Sequence, residues 1–159
     1  STIRHAITLL GRRQLQRWLH LLLMAPSGKT PDASRSPLLQ VAALRGRMME
    51  LLAEHEAAHD RKLADQGFIT GIMSMMPAAL GLPIEEILAQ ISLEPEVTQA
   101  LTTRQGTLGK TLELLECYDN EDSDGCERAL AELAGFDIDH RRINTCLADA
   151  LRWINGNEE

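Results

Sequence analysis

The chain has 159 residues, the length of one domain, and 44% of them are apolar, enough to bury a core, while only 3% are aromatic. No apolar run reaches the ~20 residues needed to cross a bilayer, and the longest, Leu19 to Ala25, is interrupted by His20, so no membrane association is expected. The formal charge of −7 repels phosphate and aromatic residues for base stacking are few, so nucleic acid is an unlikely partner.

The apolar content is carried by Leu, Ala, Ile and Met, with few β-branched runs, a mixture that favours helices over strands. Cys117, Cys126 and Cys146 form an odd set without CxxC or Cys/His spacing, which fits reduced thiols in a cytoplasmic protein better than a disulfide framework or zinc ribbon. The charge is unevenly spread. Residues 1–49 hold eight basic residues against one acid, Asp32, and so lie near +7; the rest hold eight basic against twenty-two acidic residues, near −14. Such parts either face each other or present two different surfaces.

The chain opens at Ser1, Thr2 and Ile3 already in a helical pattern, without an initiator Met or a signal sequence, and is expected to be a piece of a longer protein. Ile3, Ala6, Ile7 and Leu10 share one helical face, closed by Gly11. A second helix follows, with Leu15, Trp18, Leu19 and Leu22 on its apolar side and Arg12, Arg13, Gln16 and Arg17 on the other. PSGKTPDASRS, residues 26–36, reads as a surface loop.

Ser36 and Pro37 mark the start of a long central helix, striped by Val41, Leu44, Met48 and Leu51 and running to about Ala58. From Asp65 a segment apolar on most sides, through Phe68, Ile69, Ile72, Met73 and Met76, reads as the most buried helix and stops near Pro77 and Gly81. A short helix from Pro83 to about Ser92 carries Glu85 and Glu86 in its first turn, where the macrodipole favours them. Further helices are expected from Pro95 to about Arg104, from Leu108 to Tyr118, around Ala129, Leu130 and Leu133 after the acidic turn DNEDSDG, and from Asp139 to Gly156. No segment alternates with period two, so the expected fold class is all-α: a compact bundle of roughly eight helices with no sheet.

The stretch TIRHAITLLGRRQLQRWLHLLLMA resembles the interior of an HDOD domain, whose first helix carries an "Ai..LG" pattern before a second helix. AALRGRMMELLA (42–53), FITGIMSMMPAAL (68–80), GLPIEEILAQISLEPEVTQAL (81–101) and ALRW (150–153) are similar to the subgroup in which HDOD follows an EAL domain. The resemblance implies an α-helical relative of the HD phosphohydrolases, used in bacterial signal transduction and regarded as non-enzymatic. It also implies that the start of the HDOD module and an EAL domain lie upstream, and that the partners are proteins, that EAL-type domain among them. Catalytic HD relatives carry adjacent metal-binding His and Asp in a helix reading roughly "GLLHDIG". Here Ser74 and Met75 stand at those degenerate dyad positions, and neither a hydroxyl nor a thioether replaces imidazole and carboxylate around a hard divalent ion. The resemblance therefore implies no catalytic residue, no bound metal and no cofactor.

Several constellations imitate chemistry. His55-Glu56-Ala57-Ala58-His59 spells H-E-x-x-H, in which two His on one helical face bind Zn²⁺ and Glu56 acts as general base, the form a metal-dependent hydrolase would take. Asp60, Arg61 and Lys62 follow at once, however, which is the look of a solvated helix end, and no third ligand is evident. His59-Asp60 is a literal HD dipeptide, but it precedes the helix that matches the dyad by some fifteen residues. Asn120, Asp122, Asp124 and Gly125 imitate the first half of a calcium loop, whose twelfth position is Ala131 instead of Glu. Met48, Met49, Met73, Met75 and Met76 fit either an adaptable groove or core packing, and core packing suits their spacing beside Phe68 and Ile72. Arg12, Arg13, Arg17, Arg45 and Arg47 are candidates for a partner surface, against the alternative of pairing with the acidic C-terminal part. Two further expectations are a cavity beside Ser74 and Met75, open to a small ligand, and a homo-oligomer formed through apolar surface.

Overall fold

The computed structural model describes residues 37–155, with the backbone alone for Leu39. The two helices expected before Ala25, the loop over 26–36, and Arg12, Arg13 and Arg17 lie outside the described residues. Eight α-helices occur within 37–155: α1 Pro37–Glu56, α2 Arg61–Met73, α3 Met76–Leu80, α4 Ile84–Gln90, α5 Pro95–Thr103, α6 Gly106–Asp119, α7 Ser123–Glu132 and α8 His140–Ile154. A 3₁₀ turn at Ala134–Phe136 joins the last two, and no strand occurs among the described residues. The all-α bundle expected from composition and periodicity is the fold observed.

Side-chain caps shift several boundaries away from those expected. Asp60 accepts a hydrogen bond from the Leu63 amide at 2.9 Å, so α2 starts at Arg61 and not at Asp65. Its first two residues, Arg61 and Lys62, are charged, and the apolar pair Leu63 and Ala64 that follows is too short to mark a helix start by itself. Likewise Asp122 accepts from the Gly125 amide at 2.9 Å and starts α7 inside the acidic stretch, well before Ala129. Thus most of the calcium-like half-loop is a capped helix start. Asp139 caps α8 by accepting from the Arg142 amide at 2.8 Å.

The expected helix from Phe68 to Met76 is broken. Pro77 has no N–H to offer and its ring crowds the carbonyl four residues earlier, so α2 ends at Met73 and α3 restarts at Met76 with proline in its first turn. α3 closes at Gly81, whose φ of 67° suits a residue without Cβ.

The core forms where α1 crosses α2. A Cβ on Gly71 would lie 2.6 Å from the Gly46 Cα and 2.7 Å from the Arg45 carbonyl oxygen, and one on Gly67 would lie 2.9 Å from the Met49 carbonyl oxygen. The two backbones therefore touch at these positions, closer than helices separated by side chains. Met49, Leu52, Phe68, Ile72, Met73 and Met76 fill the space around the crossing and are fully buried, so these methionines are core and line no partner groove. α8 lies along α1, and its Trp153 meets Phe68 of α2 edge to face with ring centroids 6.2 Å apart.

Candidate functional site

Ser74 caps the C-terminus of α2, and Met75 leads into α3, with its amide donating to the Ile72 carbonyl at 3.1 Å. The Ser74 hydroxyl donates to the Gly71 carbonyl at 2.6 Å and accepts from Arg45 Nη1 at 3.3 Å. Arg45 Nη2 is ion-paired with Asp119 at the end of α6. These contacts give Ser74 no base: a carbonyl accepts its proton only as a hydrogen bond, and a guanidinium accepts none. Ser74 is thus part of a structural junction of α1, α2 and α6.

Beside it runs a recess of about 200 Å³ between α1, α6 and α8, walled by Val41, Leu44, Met48, Leu115, Ile143 and Leu147, with Arg45 and Asp119 at its polar end. Ser74 and Met75 do not line it; Arg45, which does, donates to Ser74. The cavity expected beside Ser74 and Met75 is thus not the one found, whose lining includes neither residue.

The H-E-x-x-H pattern does not form a helical site. α1 ends at Glu56, and His59 falls in the turn before Asp60, so the two histidines do not share a helical face. The His55 ring nitrogen Nε2 donates to the Asp137 carbonyl at 3.1 Å, 82 positions further along the sequence. Among the described residues no three His, Cys, Asp or Glu side chains are arranged to hold a metal ion. Asp60, the second member of the literal HD pair, is the cap of α2.

Glu56 has a different role. Burial raises its pKa from 4.5 to about 7, against the lowering effect of a hydrogen bond from Thr111 on α6. The contact ties α1 to α6 across 55 positions of sequence, a separation that carries no local signal.

Arg45 and Arg47 are turned inward, with side chains 13% and 16% exposed, so neither forms an open docking surface. Arg45 pairs with Asp119, the pairing with the acidic part that was the alternative. Arg47 is ion-paired with the fully buried Glu50 and stands 5.7 Å from the centroid of the Trp153 ring. Glu50 also receives Arg61 at 3.4 Å, as a buried carboxylate requires. Sequence reading also missed a surface chain in which the Tyr118 hydroxyl meets His140 Nδ1 and His140 Nε2 reaches Glu127 at 3.2 Å. The free thiols Cys117 and Cys126 border a depression lined also by Tyr118, Glu127 and His140, and burial raises the pKa of both.

No protein-family model matches the sequence, and no solved structure matches it. Over 154 residues, 96% of its length, the chain is 32% identical to the cyclic di-GMP phosphodiesterase CdgJ of Vibrio cholerae. The chain is similar to part of a cyclic di-GMP phosphodiesterase. Over 155 residues it is also 28% identical to the uncharacterized protein YuxH of Bacillus subtilis. It spans about a third of each relative, 34% of CdgJ and 36% of YuxH. Among the described residues no single helix is long and apolar enough to cross a membrane.

Proposed function

We propose that the chain is the C-terminal part of an HDOD-type module that acts in cyclic di-GMP signalling as a non-hydrolytic regulatory domain. In this reading it works in the cytoplasm through protein contacts, with an EAL-type catalytic domain outside the chain as its first partner and with self-association as a further mode. The observation that carries the reading is the state of Ser74: at the position of the metal-binding dyad stands a hydroxyl held between the Gly71 carbonyl and the Arg45 guanidinium, with no base within its contacts. The near full-length similarity of the chain to part of a cyclic di-GMP phosphodiesterase supports the signalling context.

The test is hydrolysis of cyclic di-GMP by the isolated chain with Mg²⁺ or Mn²⁺, alongside the rate of a longer protein that contains it. The isolated chain should give no turnover, and deleting it from the longer protein should change that protein's rate or its response to partners. Turnover by the isolated chain that is lost in His55→Ala/His59→Ala or in Ser74→Ala would overturn the reading in favour of a metal-dependent hydrolase. A second reading, a small-ligand sensor, draws on the recess at Arg45, whose guanidinium also donates to Ser74. It predicts that an apolar ligand filling the recess changes the fluorescence of a probe attached near Leu147.

A further inference from the structure

α8 closes on the pair Asn155-Gly156. Asn155 is the C-cap of this helix, exposed, with φ −79° and ψ 1°, and its backbone N–H donates to the Leu151 carbonyl at 3.1 Å. An asparagine followed by glycine is open to an internal reaction. Its side-chain carbonyl carbon is within reach of the backbone nitrogen of the next residue, which a Cβ ordinarily shields. Glycine leaves that nitrogen bare and samples more of backbone space.

The structure sets this asparagine apart from the other two described. Asn144 lies inside α8, where the nitrogen that follows it, that of Thr145, is held in the helical ladder. Asn120 is an exposed C-cap like Asn155, but Glu121 follows it and its Cβ shields the nitrogen. Among the described residues only Asn155 combines exposure, a place beyond the last helical residue and a glycine next in the chain.

We propose that Asn155 is a modification site, which deamidates spontaneously through a succinimide, and that the product loosens the end of α8. The Gly156 backbone nitrogen bonds to the Asn155 Cγ and gives up its proton, while the side-chain nitrogen leaves as ammonia. Water then opens the ring at either carbonyl. One opening leaves aspartate; the other leaves isoaspartate, with the backbone running through the former side chain. At ψ 1° the attacking nitrogen is turned away from Cγ, so closure of the ring proceeds from states in which the last turn has opened. Both products put a carboxylate at the C-terminal end of α8, where the macrodipole already gathers negative partial charge, and isoaspartate also lengthens the backbone by one carbon. Trp153 stands on this turn and meets Phe68 of α2, so the change reaches the core.

The test is peptide mapping by mass spectrometry of the folded chain held at about pH 8 and about 37 °C, with enzymatic methyl labelling to detect isoaspartate. Asn155 should convert at least about tenfold faster than Asn120 or Asn144 and should yield both products. Gly156→Ala, which restores a Cβ beside the attacking nitrogen, should slow the conversion at least about fivefold. In the converted protein the amides of Trp153 and Ile154 should exchange hydrogen faster than in fresh protein, while those of α2 and α6 should not change. An Asn155 that stays intact in the folded chain would overturn the proposal, and so would an equal rate at Asn120 or a rate that ignores Gly156→Ala. Conversion that leaves exchange at Trp153 and Ile154 unchanged would overturn the link between the modification and the end of α8.

Discussion

Thr111 Oγ1 lies 2.9 Å from Glu56 Oε1 and 2.8 Å from the Thr107 carbonyl oxygen, and its single proton can serve only one of these acceptors. A neutral Glu56 resolves the conflict, because its own O–H can donate to Thr111 while Thr111 donates to Thr107. Burial favours the same neutral form.

The sign of the pH dependence follows. The folded pKa of Glu56 lies above its unfolded value, so its contribution to stability is fully present below about pH 4.5 and is lost as pH rises through about 7. Above that, the ionised carboxylate weakens the fold by about 3 kcal/mol, since the pKa rises from 4.5 to about 7. Glu56→Gln, which keeps the shape of the neutral acid, should therefore raise stability by about 2 kcal/mol at pH 8 and leave it within about 0.5 kcal/mol at pH 4.5. Urea unfolding of both proteins across this range checks it; a difference that does not change with pH would rule out the titration of Glu56 as its cause.

Gly71→Ala should be among the most damaging single-methyl additions in the chain. The new Cβ would meet backbone, the Gly46 Cα at 2.6 Å and the Arg45 carbonyl oxygen at 2.7 Å, and backbone cannot move aside without parting α1 from α2. A loss of about 3 kcal/mol is expected. Gly46→Ala meets first the Ile72 Cγ1 at 2.8 Å, a side-chain atom that can shift, and should cost less. Thermal unfolding of the two variants side by side tests the order, and an equal loss would contradict a backbone contact specific to Gly71.

Arg45→Met should cost about 1 kcal/mol, since it removes the Asp119 ion pair and a donor to Ser74 but keeps an apolar stem in the recess. Asp119 is 57% exposed, so the pair is screened and the coupling between Arg45→Met and Asp119→Asn in a double-mutant cycle should be about 0.5–1 kcal/mol. Additive effects would mean that Arg45 acts through Ser74 or packing and not through the ion pair.

Metal content is the cheapest check on the H-E-x-x-H pattern. With His59 in a turn beyond the end of α1 and His55 donating to Asp137, the two rings lack the i, i+4 placement that zinc requires. Elemental analysis of the untagged protein should give well below one metal per chain, and His55→Ala/His59→Ala should leave that value unchanged. Stoichiometric zinc that disappears in the variant would reverse this expectation.

The sequence by itself determined the all-helical class and the buried helix around Phe68, Ile72, Met73 and Met76, whereas Val41, Leu147 and Leu151, read on apolar faces, are exposed and Met49 and Leu52 are buried in place of that stripe. The class and that helix follow from local rules, in which Leu, Ala and Met at helical spacing mark a buried stripe and proline or glycine marks its ends. What the sequence could not supply were effects between distant residues or from polar caps. Asp60 and Asp122 start helices earlier than any apolar pattern signals, and Pro77 divides what periodicity joins. The burial that raises the Glu56 pKa depends on α6 folding against α1, and the inward turn of Arg45 depends on Asp119, 74 positions away. Only the tertiary structure decides such pairings, because burial and charge partnership arise from which helices meet and not from the identity of the residues nearby in the chain.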